Sequence, residues 1–81
     1  MSPQHTAETI QACLGEISSK LADAAAIAKG AVVCAESGNP SGGLRIALDI
    51  EQLVYETNTL LNAASLMNRI RKEKEGGLSD G

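Results

Sequence analysis

Residues 38–45 read GNPSGGLR, and this stretch decides whether the chain is one long rod or two helices folded back on each other. Gly38 suits the left-handed position just past a helix C-terminus, where a side chain would be strained. Asn39-Pro40 then offers a helix N-cap followed by proline at the first helical position, with Ser41 as an alternative cap. The chain therefore reverses over residues 38–43. A helix is predicted over about 3–37 and a second over about 44–74. Together they make one helical hairpin domain over residues 1–75, followed by a flexible tail over 76–81, GGLSDG.

Working outward, Ser2-Pro3 repeats the cap-and-proline pattern at the start of helix one. Its apolar residues fall at Ala7, Ile10, Leu14, Ile17, Leu21, Ala24, Ala28, Ala31 and Ala35, in alternating steps of three and four. That is a coiled-coil seam, bulky in its first half and all alanine in its second. Cys13, Ile27 and Cys34 lie one place before the seam and widen it. Gly30 is a candidate bend.

Helix two carries a broad stripe: Ile46, Ala47, Ile50, Leu53, Val54, Thr57, Leu60, Leu61, Ala64 and Met67. Such width belongs to a bundle rather than a two-stranded coil. A second row, Leu44, Leu48, Tyr55, Leu66 and Ile70, is left over as a candidate interface. One neighbouring helix cannot cover both rows. The fold class predicted is all-α, an antiparallel helical hairpin that assembles into a four-helix bundle dimer or a higher oligomer.

Composition leads the same way. The chain has 81 residues, no Trp, no Phe and one Tyr, so its core must be built from small and medium aliphatic side chains. Chains this short need a disulfide, a metal or self-association. Cys13 and Cys34, if both lie on helix one, are roughly 31 Å apart along it, beyond disulfide reach. His5 is the single histidine and has no cysteine cluster beside it, so no metal site is predicted. That leaves a homo-oligomer.

A net charge of −3, with no aromatic residues for stacking beyond Tyr55, argues against a nucleic-acid duplex as partner. The polar opening MSPQHTAE is no signal peptide, and no apolar run approaches the ~20 residues of a membrane span. The expectation is a soluble cytoplasmic protein with no membrane partner.

Candidate chemistry is sparse. No Ser/His/Asp set, no Cys/His pair beyond His5 and the two cysteines, and no Glu-x-x-His motif is present, so no catalytic residue and no cofactor is assigned and the chain reads as non-enzymatic. Arg69, Arg71, Lys72 and Lys74 sit in the last turns of helix two, where they favour the helix dipole or meet an acidic partner. Asn58, Asn62 and Asn68 flank the apolar stripe.

The first turn of helix two is the one place with ligand-like chemistry. Glycines there let an anion approach the unpaired N–H groups, Ser41 adds a hydroxyl and Arg45 a guanidinium fork. Ser41, Gly42, Gly43 and Arg45 are thus a candidate site for a phosphorylated small-molecule ligand. Turn chemistry alone accounts for Gly38, Asn39 and Pro40, and less well for Gly42-Gly43. Both readings stay open.

Residues 45–62, RIALDIEQLVYETNTLLN, place an arginine near a helix start, then Glu51-Gln52, then Asn58. This segment resembles the second helix of the hairpin domain in phage-encoded sponge proteins that sequester cyclic-nucleotide or cyclic ADP-ribose-type signals. The hairpin outline is also similar to that of short uncharacterised bacterial two-helix proteins. The sponge resemblance implies a helical oligomer with ligand sites between protomers, no catalysis, and Arg45 as a phosphate contact. The expected function is a non-enzymatic oligomeric binding protein that sequesters a small phosphorylated, nucleotide-type signal at the start of helix two. The alternative is a protein–protein interaction module, whether adaptor, chaperone or small inhibitor, using the second apolar face.

Overall fold

The computed structural model describes the backbone of residues 3–80 and the side chains of residues 5–74. Among them the secondary structure is helical, with no strand: α1 spans Pro3–Glu36, α2 Pro40–Ala47 and α3 Asp49–Asp80. Pro3 opens α1 as predicted, and the Ser2 cap lies outside the described residues. The helix runs unbroken through Gly15 and Gly30.

The 37–40 connection combines two capping motifs. Gly38 takes φ 100°, its N–H donates to the Ala35 carbonyl at 3.0 Å, and the Asn39 N–H donates to Cys34 at 3.2 Å. Those paired bonds close α1 in a Schellman motif. Asn39 then turns to the next helix: its Oδ1 accepts from the Gly42 N–H at 2.9 Å and its carbonyl from the Gly43 N–H at 3.0 Å. Pro40 occupies the first turn, where its missing N–H costs nothing.

The second half of the chain departs from prediction in two ways. The helix begins at Pro40, on the predicted Asn39 cap, but is interrupted at Leu48, where the Glu51 N–H reaches only three residues back to the Leu48 carbonyl at 3.1 Å. Glycine at position 43 lets α2 lie directly on α1. At the far end α3 continues through Asp80, past the predicted limit near residue 74 and into the segment predicted as a flexible tail; Gly76-Gly77 does not end it.

α1 lies along both α2 and α3, with contacts running in opposite directions along the chain. A Cβ on Gly43 would stand 2.6 Å from the Ala31 carbonyl oxygen and 3.3 Å from the Ala35 Cβ, so α2 touches the backbone of α1 there. Further along, Lys20 reaches Glu56. The buried and half-buried positions of α1 are Thr6, Ala7, Ile10, Cys13, Ile17, Lys20, Ala24, Ile27, Ala28, Ala31, Cys34 and Ala35, and those of α3 are Ile50, Leu53, Glu56, Thr57, Leu60, Ala64, Met67 and Arg71.

This corrects the predicted seam. Ala7, Ile10, Ile17, Ala24, Ala28, Ala31 and Ala35 hold their places, but Leu14 and Leu21 are half exposed; Cys13, Ile27 and Cys34 face inward as the predicted widening, joined by Lys20. Ile46, Val54 and Leu61 leave the predicted stripe of the second rod in the same way. One neighbour covers a stripe about two positions wide per heptad, and both stripes here are three wide.

The resulting core is thin. Ala31 and Ala64 are its buried apolar residues, and among the described residues no large side chain is fully buried. The Cα radius of gyration is 18.4 Å, against about 12 Å for a compact chain of this length.

The Gly43 contact carries a direct test. Gly43→Ala should destabilise the fold by about 2 kcal/mol through overpacking, despite its gain in helix propensity. Gly30→Ala, with nothing within 4 Å of the added carbon, should stabilise by about 0.5–1 kcal/mol. Urea denaturation of both variants checks the pair, and opposite signs are the expected outcome.

Candidate functional site

The start of α2 places the predicted ligand residues on two different surfaces. Ser41 and Arg45 are exposed, while Gly42 and Gly43 are buried. The glycines have packing reasons. Gly43 admits the α1 backbone, and a Cβ on Gly42 would collide with the Asn39 side chain that caps the helix. The donors are also largely committed. Pro40 has none, and the Gly42 and Gly43 N–H groups go to Asn39, so the Ser41 N–H remains of the first turn. An anion arriving here meets one backbone donor, the Ser41 hydroxyl and the Arg45 guanidinium.

The predicted interface residues are all exposed: Leu44, Leu48, Tyr55, Leu66 and Ile70 retain between 43% and 67% of their surface. At 100° per residue they fall within one arc of the α2–α3 rod, on the side turned away from α1. Gln52, Thr59, Asn62 and Arg69 share that arc and dilute it. Asn58, Asn62 and Asn68 are exposed.

Sequence reasoning missed a second apolar surface. Leu14 and Leu21 follow the inward residues Cys13 and Lys20 by one position, and Val54 and Leu61 follow Leu53 and Leu60 by one. In an antiparallel pair, positions offset from the seam in the same sense lie on the same side. The Lys20–Glu56 register places Leu21 level with Val54 and Leu14 level with Leu61. The four residues stand 49–52% exposed. The signal is present in the sequence as the extra width of both stripes.

The opposite side is acidic. Glu16, Lys20, Glu56 and Leu60 line a shallow groove there, and Glu16, Asp23 and Glu56 all act on the Lys20 charge. The Lys20 Nζ donates to the Glu56 Oε1 at 2.8 Å, and the Gln52 Nε2 donates to the Glu56 Oε2 at 2.8 Å. The hydrogen bond to Glu56, helped by the nearby carboxylates, raises the Lys20 ammonium above its ordinary 10.5. Hydrogen bonds from Gln52 and then Lys20 lower the Glu56 carboxyl below its ordinary 4.5. Among the described residues no group of His, Cys, Asp and Glu could hold a metal ion, and Cys13 and Cys34 are free thiols. No described helix is long and apolar enough to cross a membrane.

No protein-family model, curated protein or solved structure matches this chain.

The ion pair predicts a signed pH response. A depressed Glu56 contributes stability above its ordinary pKa and loses it as pH falls through the lowered value. A raised Lys20 contributes below its ordinary pKa and loses it as pH rises through the raised value. The advantage of the wild-type chain over Glu56→Gln in thermal midpoint should therefore be level between the two ordinary values and vanish in acid below 4.5. A pH series of melting curves for the two chains reads this directly.

Proposed function

We propose that this chain is a non-enzymatic protein-interaction module: an antiparallel helical hairpin that docks helical partners through apolar side chains it leaves exposed. The observation that carries this reading is the mismatch between its core and its surface. Alanines form the buried apolar core, while Leu14, Leu21, Val54, Tyr55, Leu61 and Leu66 each stand about half exposed or more. Leu14, Leu21, Val54 and Leu61 share one face, and an exposed apolar patch of this kind marks an interaction site. Self-association into a four-helix bundle or larger oligomer is one way to cover it, and a helix from another protein is the other.

A second reading keeps the start of α2 as a site for a small phosphorylated, nucleotide-type ligand held by Ser41 and Arg45. The exposure of those two side chains favours it. The commitment of the Gly42 and Gly43 N–H groups to Asn39 weighs on the other side, and ranks it below the interaction module.

Native mass spectrometry of the purified chain separates the two. The module reading expects protein in the complex, lost in Leu14→Gln/Leu61→Gln with helix content retained. The ligand reading expects added mass of nucleotide size, and calorimetric binding of cyclic nucleotides or ADP-ribose derivatives that Arg45→Ala abolishes. A bare chain with neither protein nor small molecule contradicts both.

A further inference from the structure

We infer that the surface bearing Leu14, Leu21, Val54 and Leu61 is covered by a second copy of this chain, the two copies being related by a two-fold axis near Leu21 and Val54. The inference rests on the interaction-module reading and names its partner. Three observations carry it.

The first is area. The chain exposes 5792 Å². A compact monomer of 8.4 kDa exposes about 4,600 Å². Each copy thus shows about 1,200 Å² in excess, and two copies would bury about 2,400 Å² between them, within the range of obligate homodimers.

The second is charge. On this side, the flank and outer edge of residues 11–32 of α1 and 47–65 of α2 and α3 carry Glu51, with Lys29 at the rim beside Ala28 and Val32. The other side gathers Glu16, Asp23 and Glu56 around Lys20. Depletion of charge is what distinguishes the buried centre of an interface from ordinary surface, and an apolar centre without charge is complementary to itself. A different charged protein would be better received on the acidic side.

The third is shape. Along α1 this flank runs Ala7, Leu14, Leu21 and Ala28, ending where Ala35 packs under Gly43. On α2 and α3 Ala47 stands at the turn end and Leu61 at the other. Two copies with their turns at opposite ends set Leu14 of one against Ala28 of the other, and Leu61 against Ala47. Large then meets small about a centre at Leu21 and Val54. Copies with turns at the same end would stack leucine on leucine and alanine on alanine, leaving a wedge.

Sedimentation equilibrium from low micromolar to submillimolar concentration tests the inference. The wild-type chain should weigh twice the 81-residue mass, and Ser18→Arg/Ala25→Arg should weigh once that mass with helix content kept. Both residues are exposed at the edge of this surface and outside the intrachain seam, so the variant does not depend on the fold surviving a core change. Tyr55→Glu/Leu66→Glu, on the far side of α3, should remain dimeric. A wild-type chain that is folded and monomeric throughout overturns the second copy and leaves the module reading to its own test. A dimer that survives Ser18→Arg/Ala25→Arg, or dissolves in Tyr55→Glu/Leu66→Glu, overturns the assigned face.

Discussion

Two helices lying side by side offer each other one stripe, and everything in this chain follows from how narrow that stripe is. α1 and α3 meet through Ile10, Ile17, Ala24 and Ile27 on one side and Ile50, Leu53, Leu60 and Met67 on the other, none of them fully enclosed. A third layer would be needed to enclose them. Among the described residues no further element supplies it, and no aromatic side chain lies in the seam to widen it. Its closest contact is made instead by the smallest residues, where Gly43 rests on Ala31 and Ala35.

That contact also orders the rest. Because α2 rides on the α1 backbone at Gly43, the turn must be tight, and Asn39 satisfies both helix ends within it. The second rod is interrupted one residue past α2, at Leu48. The Lys20–Glu56 bridge sits two turns beyond the break and fixes which residues stand level with which. An ion pair at a seam position stabilises little in water, but it penalises any register in which Lys20 faces apolar neighbours.

Much of this was legible beforehand. GNPSGGLR carried the reversal because each residue type does something local: Gly38 accepts a positive φ, Asn39 caps, Pro40 starts. The three-and-four spacing carried both helices. Which residues of a three-wide stripe face the neighbour was not legible, since Leu14 and Cys13 both fit a seam and only the contact at Gly43 chooses between them. Gly42-Gly43 was open between anion cradle and turn. The packing of Gly43 against α1 depends on the Ala31 carbonyl, twelve residues back in sequence, and no local pattern encodes that contact.

On the proposed reading, the two-helix seam is insufficient without a partner surface. The dependence of the thermal midpoint on protein concentration, followed by helical circular dichroism, tests this most directly. Unfolding linked to dissociation moves the midpoint upward as concentration rises. A midpoint that climbs steadily over a hundredfold range, on the order of what mass action requires, is the predicted result. A sharp transition at one temperature, the same at every dilution, would contradict it.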